Sequence, residues 1–262
     1  MTAEWRDKWA LVTGASAGIG KALAEELASG GTHLLLTARR GDRLLELAKQ
    51  LRSKHKISAE IFEADLAKPS APEEIFQFTK EKGIAVDVLI NNAGFGQYGE
   101  LPSVEPQRLL DMVQVNCGAV LHLTRLFLPE MVARRRGDVL IVASTVAFQA
   151  VPYISTYAAT KVFDLFLAEG LAEEMKSYGV RVCALCPGTT TSEFHDVAGH
   201  PSHARRRSET AEKVARTGLR ALASGKSCVI SGLGNYLGAQ SQRFVPRRVV
   251  TRIAANMLGP KQ

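Results

Sequence analysis

Three glycines at fixed spacing, in Thr13-Gly-Ala-Ser-Ala-Gly-Ile-Gly20, join the short apolar run Trp9–Thr13 to a stretch of helical spacing from Ile19 to Ser29. A strand that turns directly into a helix needs a residue without a side chain at the tight bend, which Gly14 supplies. Gly18 lets the backbone approach a bound group, and Gly20 lets the helix lie close against the sheet. Ser16 and Ile19 complete the loop. A helix that opens from such a loop presents free N–H groups and the positive end of its dipole, which together suit a phosphate. A glycine trio alone is weak evidence, because many strand–helix turns use glycine. Its place at the first strand of an alternating series gives it force.

That series runs the length of the chain. Short apolar runs at Trp9–Thr13, His33–Ala38, Ser58–Glu63, Val86–Asn91, Asp138–Val142, Val180–Leu185 and Ser227–Ile230 read as strands. Each is bounded by Gly, Asp, Asn or Pro, and their continuous apolar character fits strands covered on both faces. Helical spacing falls at Ile19–Ser29, Asp42–Lys54, Pro72–Lys82, Pro106–Arg135, Tyr157–Tyr178 and Ser208–Ala223. In the second of these, Leu44, Leu45, Leu47, Ala48 and Leu51 make one apolar face, and Asp42 complements the dipole of the first turn. The pattern predicts one α/β domain over residues 1–262, a Rossmann-type doubly wound parallel sheet of seven strands with helices on both faces. A ligand is expected at the carboxyl ends of the strands. Residues 189–207 break the rhythm with Thr, Ser, His, Pro and Arg and are expected to form a flexible flap over that edge.

Composition narrows the classes of partner. The chain carries 33 basic and 26 acidic residues, a formal charge of +7. Its arginines cluster at 39–40, 134–136, 205–207 and 247–248 without the aromatic pattern or recognition helix of a nucleic-acid reader, so no nucleic-acid partner is expected. No run reaches the ~18 apolar residues of a membrane-spanning helix. The charged start Met1-Thr-Ala-Glu-Trp-Arg-Asp-Lys-Trp9 lacks the apolar stretch of a secretory leader. Four cysteines are too few for a disulfide framework in 262 residues, which points to the cytoplasm. Cys183 and Cys186 lie in a strand, where residues three apart face opposite ways, so their spacing does not read as a redox or metal pair. His195, His200 and His203 match no common zinc spacing, and no metal is expected.

Two further clusters carry chemistry. The second strand ends in Ala38-Arg39-Arg40, where a unit built for NAD usually places an acid against the adenosine ribose. Guanidinium groups there suit a 2′-phosphate through paired charge-assisted hydrogen bonds, with Arg39 nearer the strand end. This favours NADPH over NADH. In Tyr157-Ala-Ala-Thr-Lys161, the phenol and the ammonium stand one turn apart on one helical face. An ordinary phenol, with a pKa near ~10, is a poor proton donor and a poorer base at neutral pH. A neighbouring ammonium stabilises the phenolate and draws that value down. Ser144, at the end of the fifth strand, stands where a hydroxyl orients a substrate carbonyl.

Thr13-Gly-x-x-x-Gly-x-Gly20, Asn91-Asn-Ala-Gly94, Asn116, Ser144, Tyr157-x-x-x-Lys161 and Pro187-Gly188 occur in one order along the chain. In this set the chain resembles the short-chain dehydrogenase/reductase superfamily, over residues 13 to about 192. The resemblance implies an oxidoreductase moving a hydride between NADPH and a ketone or secondary alcohol. Tyr157 is implied as proton donor and acceptor, Lys161 as the group that lowers its pKa and holds the nicotinamide ribose, and Ser144 as the partner of the substrate oxygen. Asn116 is implied in a water-mediated relay toward Lys161. Asp65 and Leu66 are implied at the adenine, Asn92, Ala93 and Gly94 along the adenosine side, Thr190 at the carboxamide and Ser192 at the pyrophosphate. Thr190 and Ser192 depart slightly from the usual pattern, an aliphatic residue and a threonine, without removing a needed group. A homodimer or homotetramer is implied as well.

The substrate is less legible. Phe95, Tyr98, the stretch from Ala147 to Tyr153 and the flap point to an apolar pocket for an acyl or steroid-like ketone. From Tyr236 to Met257 the chain reads as a basic amphipathic helix, packed on the body or on a second subunit, with an anionic membrane surface as the alternative. Two other functions remain open: a non-catalytic NADPH-sensing module, and a nucleotide-sugar epimerase or dehydratase. The sensor has no need of Ser144, Asn116, Tyr157 and Lys161 together, and the epimerases usually have a longer chain and a differently spaced loop.

Overall fold

The computed structural model describes residues 3–191, 193–194, 198–199 and 208–259. Among these, seven strands form one parallel sheet: β1 (Trp9–Thr13), β2 (His33–Ala38), β3 (Ala59–Glu63), β4 (Val86–Asn91), β5 (Gly137–Val142), β6 (Val180–Cys186) and β7 (Cys228–Ile230). Their order across the sheet is β3-β2-β1-β4-β5-β6-β7, so the winding reverses between β1 and β4. Every neighbouring pair is parallel.

Side chains alternate along each strand, and both sets are apolar. Val12, Leu34, Leu36, Val88, Ile90, Leu140 and Leu185 face one layer, which holds α1 (Gly18–Ser29), α2 (Gly41–His55) and, near the C-terminus, a helix at Ala211–Ala223. Leu11, Leu35, Leu89, Val139, Ile141, Val182 and Ala184 face the other. That layer holds α3 (Ala71–Glu81), α5 (Ala119–Ala133) and α6 (Ser155–Met175). Two covered faces explain why the strands read as unbroken apolar runs rather than alternating ones. Cys183 and Cys186 fall in opposite layers, as a strand demands.

Two expected helices are divided. The stretch Pro106–Arg135 begins as α4 (Pro106–Val113), where the Glu105 carboxylate accepts from the amides of Gln107 and Arg108. It then widens into a π turn, Gln114–Gly118, before α5 starts. The C-terminal stretch is likewise two helices, α8 (Leu233–Ser241) and α9 (Arg247–Leu258), with Ala211–Ala223 numbered α7 before them. Pro246 stands immediately before α9 and cannot supply an amide to continue the earlier helix. No helix among the described residues is long and apolar enough to cross a membrane.

Candidate active site

The carboxyl ends of the strands surround a cleft of about 600 Å³. One half is built from the glycine loop. Gly14 (φ +66°) and Gly18 (φ +55°) adopt the left-handed conformation that only glycine enters cheaply. A Cβ on Gly20 would stand 2.3 Å from the Gly14 carbonyl oxygen and 2.4 Å from Asn92 Nδ2, so this close approach excludes any side chain. Ser16 and Ile19 line the cleft between them. The first turn of α1 carries neither a capping side chain nor an acid, and its N–H groups stay open to an anion.

Thr13 ties this loop to the next strand end. Its Oγ1 accepts from the amides of Asn92 and Ala93, both at 2.9 Å, and donates to the Ile90 carbonyl at 3.2 Å. Asn92 Nδ2 returns a bond to the Thr13 carbonyl at 2.8 Å. Asn92, Ala93 and Gly94 therefore form the cleft wall between β1 and β4 at a fixed height. Asp65 and Leu66 border it beyond β3, with Asp65 Oδ1 accepting from the Ala67 amide.

The two arginines part company. Arg39 lines the cleft, is exposed, and carries no side-chain bond among the described residues. Arg40 is engaged already: its Nε and Nη2 donate to Ser16 Oγ, and its Nη1 pairs with Glu193 at 2.7 Å. Arg43 holds the other Glu193 oxygen, also at 2.7 Å. Glu193 thus clips the cleft mouth to α2, and its two guanidinium partners hold its carboxyl below the ordinary range.

At the other half stand Ser144, Tyr157 and Lys161. Ser144 stands two residues beyond β5, where its Oγ accepts from the Val146 amide and donates to the Pro187 carbonyl at 3.5 Å. Lys161 Nζ lies 5.9 Å from the centre of the Tyr157 ring. It donates to the Val142 carbonyl and to Asp164 Oδ2, both at 2.8 Å. Burial works against the ammonium, yet Asp164 and Tyr157 outweigh it and hold Lys161 above its usual value. The phenol does not follow the expectation from the ammonium alone. Burial raises Tyr157 above its ordinary value, Lys161 and Ser144 pull it down without prevailing, and Asp164 adds to the rise. Before cofactor binds, this group is held as a proton donor.

Asn116 lies behind the wall rather than on it. Fully buried in the π turn, its carboxamide accepts from the Phe95 amide and donates to the Phe95 carbonyl and Thr160 Oγ1. No direct bond joins it to Lys161. Gly94 is wedged between them, since a Cβ there would meet Asn116 Oδ1 at 3.1 Å and Lys161 Nζ at 3.5 Å. Asn116 is therefore seen positioning the segment after Asn-Ala-Gly.

Pro187, Gly188 and Thr190 close the far side, with the Pro187 carbonyl taking the Thr145 amide and Thr190 Oγ1 donating to the Gly188 carbonyl. Ser192, the histidines at 195, 200 and 203 and the arginines at 205–207 lie outside the described residues.

Several lining groups had no motif to announce them. Phe194 packs its ring 5.3 Å from that of Tyr157, and Ala254, Met257 and Leu258 bring α9 into the wall. Phe95 and Val151, both expected at the pocket from the sequence, add apolar surface together with Ile154. Tyr98 and Tyr153 stand behind this surface instead of lining it: their rings stack at 6.0 Å, and the Tyr98 hydroxyl donates to the Leu258 carbonyl. Asp164 was findable as a carboxylate on the apolar face shared by Lys161, Leu165 and Ala168.

A family profile for short chain dehydrogenases matches residues 8–201. The chain belongs to the short chain dehydrogenase family. It is 36% identical over 205 residues to very-long-chain 3-oxoacyl-CoA reductase-B of Danio rerio, covering 75% of this chain and 64% of that protein. The chain thus spans less than two thirds of the length of the curated relatives it matches first. Among solved structures, a short-chain dehydrogenase from Sphingobium yanoikuyae in complex with NADPH superposes with a TM-score of 0.82 at 29% identity, over 90% of this chain and 94% of that one. A 7beta-hydroxysteroid dehydrogenase gives 0.87 at 25% identity, over 96% and 98%. The glycine cradle, the open helix start and the Tyr157–Lys161 pair place this dehydrogenase chain's distinguishing groups in one cleft.

Proposed function

We propose that this chain is an NADPH-dependent oxidoreductase that interconverts a ketone and a secondary alcohol. One observation carries the reading: the phosphate cradle and the Ser144–Tyr157–Lys161 group open into the same cleft from opposite ends. The donor set fits the cofactor. The open start of α1 suits the pyrophosphate and Arg39 the 2′-phosphate, while Asp65, Leu66, Asn92, Ala93 and Gly94 border the adenosine half. Pro187, Gly188 and Thr190 serve the nicotinamide end. When bound, the cofactor supplies the hydride.

The chain's own residues do the rest. Ser144 Oγ holds the substrate oxygen, and the buried Tyr157 phenol gives that oxygen a proton in reduction or takes one in oxidation. Lys161 stabilises the phenolate left behind, and of its three donors two are committed to Val142 and Asp164, leaving one for the ribose. Asn116 positions the Phe95 segment, and a water beside it would relay protons toward Lys161.

Phe95, Val151, Ile154, Phe194, Met257 and Leu258 favour a ketone on an apolar body, and the 3-oxoacyl-CoA reductases among its relatives make an acyl thioester the first candidate. A cytoplasmic homodimer or homotetramer is part of this reading. It is supported by four free cysteines and by the exposed Leu121 and Phe166 on α5 and α6.

The test is cofactor oxidation, followed by nicotinamide absorbance, with NADPH and NADH against 3-oxoacyl thioesters, steroid ketones and diketones. Turnover with NADPH that Tyr157→Phe abolishes supports the reading. Turnover that survives in that variant removes it.

A further inference from the structure

The charge of this chain is concentrated at one end. Residues 213–262 hold nine Lys or Arg and no Asp or Glu, whereas residues 1–212 hold 24 basic and 26 acidic residues. The protein is thus close to neutral except for its last fifth. Within that part, α9 carries two stripes. Val250, Ala254 and Leu258 recur every fourth residue and face inward, where Ala254 is buried and Leu258 lines the cleft. Val249, Ile253 and Met257 make the neighbouring stripe, and they stay 46%, 53% and 47% exposed. Arg247, Arg248 and Arg252 flank them, all exposed. Phe244, in the turn that leads into α9, is 87% exposed beside Arg243. In α8, Leu233 and Leu237 are exposed too.

Packing on the body therefore accounts for one face of α9 and leaves the other bare. A solvated face of a helix is polar, and this one is apolar with a cationic border. Such a helix is built to lie in an interface, its apolar stripe among acyl chains and its arginines among phosphates. A second copy of the chain is a poor cover, because it would set arginine against arginine with no carboxylate from this segment between them. We propose that α9 and the turn before it dock on an anionic phospholipid bilayer, lying in the surface without crossing it. Met257 is both exposed and part of the cleft wall, so docking brings the cleft mouth to the lipid surface. An apolar substrate dissolved in the bilayer then has a short path to Tyr157. The docking itself stands apart from the choice of substrate, and its test does not use activity as the readout.

The experiment is co-sedimentation of the full chain with vesicles of phosphatidylcholine alone or with phosphatidylglycerol added. Three proteins are compared: the parent, Ile253→Glu, and a double variant Arg247→Gln, Arg248→Gln. These side chains lie outside the cleft, and thermal unfolding together with light scattering checks that each variant keeps its fold and assembly state. Docking predicts binding to the anionic vesicles at least ~10-fold tighter than to the neutral ones, weakened by salt and by each variant. Failure of the parent to sediment with anionic vesicles at low salt overturns the proposal. So does binding that Ile253→Glu leaves unchanged, or a dimer of the parent that the same substitution dissolves, since a second copy would then be the cover.

Discussion

Replacing Thr13 by Val keeps the shape of a buried side chain and removes one oxygen. That oxygen accepts from the Asn92 and Ala93 amides at 2.9 Å and donates to the Ile90 carbonyl, in a residue only 1% exposed. No cavity opens, so the loss is almost wholly polar. A buried N–H left without an acceptor costs about 1–3 kcal/mol, and these two, half-buried, fall in the lower half of that range and give about 3 kcal/mol together. With a urea m-value of about 3 kcal/mol/M for a chain of this size, the unfolding midpoint falls by about 1 M. Thr13→Ser is the control, because it keeps the oxygen and loses one methyl, worth about 1 kcal/mol. The same latch sets the height of Asn92, Ala93 and Gly94, so Thr13→Val also weakens NADPH binding, read by fluorescence titration, whereas Thr13→Ser does not. If the Val variant is no less stable than the Ser variant, the oxygen is not the latch and the reasoning fails.

Three other outcomes follow from the cleft. Arg39→Ala weakens NADPH by about 10–100-fold, the loss of one or two charge-assisted hydrogen bonds, and leaves NADH unchanged; equal losses for both cofactors would move the 2′-phosphate elsewhere. Asp164→Asn removes the carboxylate that raises both Tyr157 and Lys161, so the pH profile of alcohol oxidation moves toward lower pH; a profile that stays or climbs contradicts the assigned sign. Glu193→Gln releases Arg40 and removes a negative charge from the cleft mouth. Its ion pairs are half exposed and screened by solvent, so NADPH binding tightens by only ~2–5-fold, as titration calorimetry would show, and any weakening argues that the clip aids binding.

The strands were legible almost to the residue because helices cover both faces of the sheet. In a run such as Val86–Asn91 all six residues are buried, the polar Asp87 and Asn91 among them. The cradle was legible for a related reason: Gly20 leaves no room for a Cβ, and Gly14 and Gly18 take the left-handed conformation that glycine enters at least cost. Long-range pairings were not. Nothing local marks Glu193 as the partner of Arg40 and Arg43, since 153 and 150 residues separate them. Arg39 is preferred over Arg40 for its place nearer the strand end, but the bonds of Arg40 to Ser16 and Glu193 come only with the packing. Tyr157 shows the same limit in its chemistry. Its neighbour Lys161 is visible one turn away, but the burial and the Asp164 carboxylate that outweigh that ammonium come with the packing. The gap between α8 and α9 was readable in principle from Pro246, whereas Pro129 sits inside α5 without ending it.

The π turn at Gln114–Gly118 works as a phase shifter. An α-helix advances about 100° per residue, so one extra residue in a turn rotates everything after it by that angle relative to everything before. Met112, ahead of the turn, points into the cluster around Tyr157, while Val120, Leu123, Phe127 and Met131, after it, point into the sheet's core. A regular helix cannot serve both targets at this spacing. Forcing residues 114–118 into ordinary α geometry with no residue removed would leave every hydrophobic side chain in place by type and turn those beyond it to the wrong direction. What the turn encodes is an offset, and side-chain chemistry alone cannot restore an offset once it is lost.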